Sequence, residues 1–215
     1  MEIIYAPILM SDTNFLPSRP KLIAAAIMII AAFAVAALAL TQWPTKGPIG
    51  SGTALIGGPF TMINQKGETV TEQNFKGHYT VYFFGFTFCP DVCPTELQVL
   101  SAALKELGTD ADKIIPVFVS VDPERDTPKI IGEYVSSFDP RLVGLTGSPE
   151  QVAAIAKVFH VFYQKVPNPK DPKDYEMDHS SIIYLMGPDG TFITHFPYST
   201  DAKALASGLK RVLDE

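Results

Sequence analysis

The two cysteines of the chain, Cys89 and Cys93, lie four positions apart, and a proline follows each of them. Pro94 places Cys93 at, or one residue inside, the N-terminus of a helix, where unpaired N–H groups and the helix dipole lower a thiol pKa. One helical turn of separation brings the sulfurs within reach of one metal ion or of each other. Two soft thiolates select copper(I) and also accept zinc. The segment therefore predicts metal binding or redox chemistry.

A purely structural role for these cysteines fits poorly. A disulfide between them would close a loop of only five residues, and such a short loop removes little entropy from the unfolded chain. Two prolines and Asp91 crowd the segment, which is unlike the surroundings of a core cysteine. A metal-binding or redox role explains the spacing of the cysteines better than a structural role does.

The elements that must position the cysteines follow from the pattern of apolar residues. In chain order they are a hairpin at 60–63 and 69–70, a strand at 79–88, a helix at 94–108, a strand at 114–121, a helix from 126–128, a strand at 142–145, a helix from 148 to about 163, strands at 181–186 and 191–196, and a helix at 201–213. This order predicts an α/β thioredoxin-like fold with an added N-terminal hairpin and a central strand–helix insertion. Buried strands joined by helices predict a mostly parallel sheet covered on both faces. Ligands gather at the carboxyl ends of such strands, where Cys89 and Asp122 fall.

A run of 19 apolar residues at 22–40 contains no charge, proline or glycine. As a helix it would be about 28 Å long, which matches the hydrocarbon thickness of a bilayer. The run is longer than the apolar part of a usual signal peptide. We therefore predict an uncleaved transmembrane anchor at residues 22–41.

Flanking charges predict the orientation of this anchor. Arg19 and Lys21 precede it, and only Lys46 follows closely, so residues 1–21 should be cytoplasmic. Residues 42–58 are then a Gly- and Pro-rich linker to a globular domain at 59–215. The leader lacks the pattern of a transit peptide, which favours a bacterial inner membrane with the domain in the periplasm. In a eukaryote the domain would face the mitochondrial intermembrane space.

The formal net charge is −6, and no basic stripe or basic run occurs in the sequence. Nucleic-acid binding depends on such a basic surface. The composition therefore gives no support to a nucleic-acid partner.

Four motifs resemble those of the Sco/SenC family of cytochrome oxidase assembly proteins. They are Gly-Pro-Phe-Thr at 58–61, Cys-Pro-Asp-Val-Cys-Pro at 89–94, Ser-Val-Asp-Pro-Glu-Arg-Asp-Thr-Pro at 120–128, and Asp-His-Ser at 178–180. The resemblance implies a copper chaperone, rather than an enzyme, that binds one copper ion per chain through Cys89, Cys93 and His179. It also implies delivery of copper to the binuclear copper site of a cytochrome c oxidase subunit, or reduction of the thiols there, with other copper donors as partners.

The position of His179 agrees with this ligand set. It immediately precedes the predicted strand 181–186, where thioredoxin-like domains place a loop that faces the cysteine turn. Segment 164–178 has three prolines and no apolar periodicity, so we predict a mobile loop that brings His179 to the sulfurs when copper binds. The other histidines, at positions 78, 160 and 195, suit ordinary surface or core roles.

Three further residues have open roles. Asp122 could form a hydrogen bond near the site or simply end a strand beside Pro123. Met177 could be an auxiliary soft ligand or apolar filler. Asp126 or Thr127 is expected to cap a helix.

A thiol–disulfide oxidoreductase remains the main alternative function. Cys89 and Cys93 would form its redox-active pair, and His179 would tune the thiolates. A dicopper electron-transfer site needs His and Met where the chain has Leu97 and Leu100. A peroxiredoxin needs Thr three residues before its reactive cysteine, and neither cysteine has one.

Overall fold

A computed structural model describes Met28, residues 55–169 and residues 171–215. From residue 55 onwards, the described part contains nine strands and four α-helices. The strands are β1 (Thr61–Asn64), β2 (Thr69–Thr71), β3 (Tyr79–Gly85), β4 (Ile114–Ser120), β5 (Val143–Thr146), β6 (Tyr163–Asn168), β7 (Asp171–His179), β8 (Ile182–Met186) and β9 (Phe192–Pro197). The helices are α1 (Val92–Leu107), α2 (Pro128–Val135), α3 (Pro149–Val158) and α4 (Ala202–Leu213).

Seven strands form one sheet in the order β2-β1-β5-β4-β3-β8-β9. Only the pairings of β3 with β4 and of β4 with β5 are parallel. The expectation of a mostly parallel sheet is therefore wrong. Two hairpins, β1–β2 and β8–β9, supply the outer strands, and strands joined by a tight turn must run antiparallel.

The predicted thioredoxin-like α/β fold is confirmed, with the N-terminal hairpin β1–β2 and the inserted unit α2–β5. Strand β3 lies inside the sheet, and its residues Phe83 and Phe84 are fully buried. A nearly continuous apolar run is what a strand covered on both faces requires. Helix α1 packs against α4, α2 against β5, and α3 against β1. The cysteine turn follows the carboxyl end of β3, and Asp122 follows that of β4.

Several helix and strand boundaries differ from the predicted ones. Strand β3 ends at Gly85, three residues early, because the N–H of Thr87 donates to the carboxylate of Asp126. Helix α1 begins at Val92, two residues early. Helix α3 ends at Val158, so His160 lies beyond it, with a left-handed φ of 55°.

The segment predicted as a mobile loop is a β-hairpin. Strands β6 and β7 pair antiparallel, and His179 is the last residue of β7 rather than part of a loop. Met177 is buried, whereas its neighbours Glu176 and Asp178 are exposed, which is the alternation of a strand with one covered face. Prolines are tolerated because both strands of a two-stranded sheet are edges.

No helix among the described residues is long and apolar enough to cross a membrane. The predicted cytoplasmic segment, the anchor at 22–41 and most of the linker lie outside the described residues, apart from Met28. Their assignment stays a prediction. At the end of the predicted linker, Gly57 donates a backbone hydrogen bond to Val158 at 2.8 Å.

Candidate metal centre

The two cysteines occupy the turn between β3 and α1. Both thiols are free, and Cys93 is fully buried whereas Cys89 is half-buried. The N–H of Cys89 donates to the carbonyl of Phe86 at 3.3 Å, which turns the chain sharply after the strand. The N–H of Cys93, the second residue of α1, points at Sγ of Cys89 with a separation of 3.4 Å. The helix N-terminus therefore presents a donor to the more exposed sulfur, as suits a thiolate.

A glycine at the end of β3 allows Cys93 to pack against the strand. A Cβ atom at Gly85 would lie 2.6 Å from Sγ of Cys93 and 3.0 Å from the ring of Phe118. Any side chain at this position would push the sulfur away from its place. Gly85 thus provides the room that lets the thiol lie at the carboxyl edge of the sheet.

His179 reaches the same place from the end of β7. Its Nε2 atom lies 3.5 Å from Sγ of Cys93, and its Nδ1 atom lies 3.2 Å from the carbonyl oxygen of Ser180. A carbonyl can only accept, so Nδ1 carries the proton of this hydrogen bond, and in a neutral imidazole this leaves the lone pair of Nε2 for a metal ion. The edges of Phe83 and Phe86 meet the imidazole ring at centroid distances of 6.4 and 5.8 Å.

The three side chains that the sequence singled out come together. Their ligand atoms, two sulfurs and one imidazole nitrogen, all lie within 4.8 Å of one another. Atoms bound to one ion at about 2.0–2.3 Å in a tetrahedral or trigonal arrangement are about 3.5–4.0 Å apart, so the widest pair would have to close by about 1 Å. Among the described residues, His78, His160 and His195 join no such group. A Cys-Cys-His set suits copper or zinc and leaves a position open for a further ligand.

The two thiols affect each other's pKa in opposite directions. The hydrogen bond from the Cys93 thiol lowers the pKa of Cys89, and contacts with His179 and the N–H of Cys93 add to the effect. The same thiol–thiol hydrogen bond, together with burial, raises the pKa of Cys93. The pair therefore titrates as a unit that loses one proton readily and the second with difficulty. A metal ion that binds both sulfurs must displace the second proton.

Asp126 is fully buried, and its hydrogen bonds link the carboxyl ends of β3, β4 and β5. Its carboxylate accepts hydrogen bonds from the N–H and hydroxyl of Thr87, at 3.0 and 2.5 Å, and from the hydroxyl of Ser120 at 2.6 Å. Its backbone carbonyl accepts from the hydroxyl of Thr146 at 2.6 Å. Burial raises the pKa of Asp126, and the hydrogen bonds from Ser120 and Thr87 oppose that rise.

The expected helix cap is Thr127, whose Oγ1 accepts from the N–H of Ile130. Asp126 does not share that role, because its carboxylate is turned toward the strand ends. Through Thr87 it fixes the chain two residues before Cys89. Asp126 is therefore a support of the cysteine turn.

Asp122 is nearly fully buried and binds two residues rather than any of the three candidate ligands. Its carboxylate pairs with Arg125 and accepts a hydrogen bond from the hydroxyl of Tyr175 at 2.8 Å. Sequence reasoning missed Arg125 and Tyr175. The density of polar residues after the buried strand β4 was a usable signal for Arg125. Tyr175 gives no such signal, because the prolines and charges of its segment predict a loop rather than a strand.

Met177 is buried and packs in the hydrophobic core. This is the apolar role that was one of its two predicted alternatives. Its strand neighbour across the hairpin is Lys165. The side chain of Met177 therefore packs β7 against the core of the domain.

The sequence is similar to a known protein family over most of its length. It matches the family model described as SCO1/SenC over residues 50–214. It is 44% identical over 165 residues to the mitochondrial SCO1 homolog 1 of Arabidopsis thaliana, which covers 76% of this chain and 48% of that protein. The chain thus spans about half the length of the curated relatives it first matches.

Solved structures extend the similarity to three dimensions. Copper-bound ScoI of Bradyrhizobium japonicum has a TM-score of 0.67 and 49% identity, over 73% of this chain and 98% of that chain. BsSco, described as a member of the Sco family of cytochrome c oxidase assembly proteins with a disulfide switch, has a TM-score of 0.58 and 26% identity, over 74% of this chain and 94% of that chain. Because the family model covers well over half of the sequence and the fold agrees, the chain belongs to the SCO1/SenC family.

Proposed function

We propose that the protein binds one copper ion through Cys89, Cys93 and His179 and passes it to a partner protein. The observation that carries this proposal is the convergence of two sulfurs and one imidazole nitrogen within 4.8 Å. Two thiolates suit copper(I), and the added imidazole also suits copper(II). The copper-bound structure of the Bradyrhizobium japonicum relative supports the choice of metal.

The unequal exposure of the two sulfurs supports transfer rather than storage. Cys89 is half-buried and open to a partner, whereas Cys93 is enclosed. A ligand of the partner can occupy the open coordination position, after which the ligands of this chain are replaced one by one. The ion is thereby handed on without being released to water.

The receiving partner that we propose is the cytochrome c oxidase subunit with the binuclear copper site, and other copper proteins would supply the ion. The description of BsSco as a member of a family of cytochrome c oxidase assembly proteins supports this assignment. We further propose that residues 22–41 anchor the chain in a bacterial inner membrane. Residues 59–215 would then work as a single domain in the periplasm.

Thiol–disulfide exchange is the second candidate, because both thiols are free and differ in pKa. The Cys89 thiolate would attack a disulfide of the partner and form a mixed disulfide, releasing one partner thiolate. Cys93 would then attack Cys89 after losing its proton to that thiolate or to water. The products are a Cys89–Cys93 disulfide and a reduced partner, so two electrons pass from this chain to the partner.

One experiment separates the two candidates. The reduced whole chain, loaded with one copper(I), is mixed with the copper-site domain of an oxidase subunit, and the copper in each protein is measured after separation. In parallel, the copper-free reduced chain is mixed with the same domain in its disulfide form, and the released thiols are counted. Copper transfer supports the chaperone function. Rapid disulfide reduction without copper transfer supports the oxidoreductase instead. The Cys89→Ser/Cys93→Ser double variant is the control for both reactions.

A further inference from the structure

The three candidate ligands come from two separate parts of the fold. Cys89 and Cys93 belong to the turn between β3 and α1, whereas His179 ends the hairpin β6–β7. In the described part of the chain, that hairpin forms its own two-stranded sheet and pairs with no strand of the seven-stranded sheet. The two-residue connection from His179 to β8 and the side-chain contacts of the hairpin must therefore determine how far the imidazole lies from the sulfurs.

Arg125 holds the hairpin from the loop between β4 and α2. Its Nη1 atom donates to the carbonyl oxygen of Tyr175 at 2.9 Å. Its guanidinium carbon also lies 3.8 Å from the centroid of the Tyr175 ring. Tyr175 and His179 are four positions apart on β7, so their side chains lie on the same face of the strand. A group that fixes Tyr175 thus fixes the strand that carries His179.

The same guanidinium contacts the cysteine side of the site. Its central carbon lies 4.8 Å from the ring centroid of Phe88, the residue before Cys89, and 5.6 Å from that of Phe86. The ring of Phe86 in turn meets the imidazole of His179 edge-on at 5.8 Å. Arg125 therefore contacts both ligand-bearing segments.

Asp122 orients this guanidinium. Its buried carboxylate accepts from Nε of Arg125 and, on the other oxygen, from the hydroxyl of Tyr175 at 2.8 Å. The Nη2 atom of Arg125 is buried and has no hydrogen-bond partner in the described part of the chain. Cation–π contacts with the surrounding aromatic rings offset this missing hydrogen bond. A lysine would keep the positive charge. Its ammonium group could not donate to both Asp122 and the Tyr175 carbonyl from one plane, nor stack on the ring of Tyr175.

We propose that Arg125 is a positioning residue that sets the place of His179 relative to the cysteine pair. The proposal rests on the proposed copper site, and it concerns the third ligand only. Loss of Arg125 should leave two-thiolate binding of copper(I) largely intact. It should weaken binding of copper(II), which depends more on the imidazole.

The test compares Arg125→Met and Arg125→Lys with the unaltered whole chain. We expect Arg125→Met to lower copper(II) affinity by roughly 10- to 100-fold, as loss of an outer partner of a metal ligand does. Nitrogen coupling in the copper(II) paramagnetic resonance spectrum should weaken at the same time. Arg125→Lys should be impaired in the same direction, and it serves as the readout if Arg125→Met does not fold. Arg141→Met, which breaks the distant ion pair with Asp139, is the matched control and should bind copper(II) normally.

A double-mutant cycle distinguishes positioning from a general effect on the fold. In the His179→Ala background, Arg125→Met should cause no further loss of copper(II) affinity, because the ligand through which it acts is gone. An equal loss in both backgrounds, or an unchanged affinity and spectrum in both Arg125 variants, would overturn the proposal. Failure of the unaltered chain to bind copper would instead contradict the proposed function itself.

Discussion

The Nε2 atom of His179 lies 3.5 Å from Sγ of Cys93, although 86 positions separate the two residues in the chain. The contact arises because hairpin β6–β7 folds back over the carboxyl ends of β3 and β4. It places one imidazole beside a buried thiol whose neighbour in the turn, Cys89, is half-exposed.

The cysteine pair should account for all tight copper binding. The reduced chain should bind one copper ion, and the Cys89→Ser/Cys93→Ser double variant should bind none tightly. Oxidation to the disulfide removes both thiolates, so the oxidised chain should bind copper far more weakly. Titration of copper into the three samples, with circular dichroism as a check of folding, makes the comparison. Equal affinities in the oxidised and reduced chains would contradict the assignment.

The fold could be predicted from the sequence to the extent that its signals are local. The aromatic run of β3, the proline after Cys93 and the capping box at Ser148 each place an element directly. The strand order could not be predicted from such signals, because pairing joins residues far apart in the chain. Hairpin β6–β7 was missed because its prolines and charges hide the alternation around Met177.

The site could be predicted only in part for the same reason. Cys89 and Cys93 are neighbours in sequence, so their spacing alone indicates chemistry. His179 could be identified through the resemblance of its motif to a family and through its place before the predicted strand 181–186, but not from any local spacing. Arg125 and Asp126 were not recognised as supports, since their partners Tyr175 and Thr87 are 50 and 39 positions away.

His179 should be the only histidine whose loss alters copper binding. His179→Ala should keep copper(I) on the two thiolates with reduced affinity and should change the copper(II) spectrum most. His195→Ala is the matched control, because His195 also lies on a strand but outside the metal group. Optical and paramagnetic resonance spectra of both variants give the readout. An unchanged copper(II) spectrum in His179→Ala would remove this residue from the site.

Cys89 should react as a thiolate at neutral and mildly acidic pH. The hydrogen bond from Cys93 lowers the pKa of Cys89, so its alkylation rate should change little between about pH 6 and about pH 8, where an ordinary thiol accelerates roughly tenfold per pH unit. The rate of iodoacetamide modification, followed by mass spectrometry, tests this. Cys93→Ala removes the thiol donor, and its Cys89 should regain a steeper dependence on pH. A steep dependence in the unaltered chain would contradict the expected thiolate.

Asp126→Ala should destabilise the domain. The N–H of Thr87 and the hydroxyl of Ser120 would lose their acceptor at the strand ends. Leaving one such buried group unpaired costs about 1–3 kcal/mol in the free energy of unfolding. Urea unfolding of the variant measures the loss, and Asp189→Ala, in the exposed turn of the β8–β9 hairpin, is the control. A variant as stable as the unaltered chain would show that Asp126 is not a support.

Hairpin β6–β7 should be formed before copper binds. Its strands are paired from Tyr163 with His179 to Pro167 with Tyr175, and Met177 and the Arg125 contacts seat it on the domain. Amide hydrogens in paired strands exchange slowly, whereas those in a mobile loop exchange quickly. In the copper-free chain, amides of residues 163–168 and 174–179 that donate within the hairpin should therefore be protected. Copper should add protection mainly near His179.

Hydrogen exchange with and without copper measures this directly. Arg125→Met should lower the protection of residues 174–179 while leaving that of β3 and β4 unchanged, since those strands lie inside the main sheet. Fast exchange throughout the copper-free hairpin, followed by general protection on adding copper, would instead favour a loop that orders around the metal. Protection that is already present, and that depends on Arg125, would mean that the third ligand is held in place by the fold.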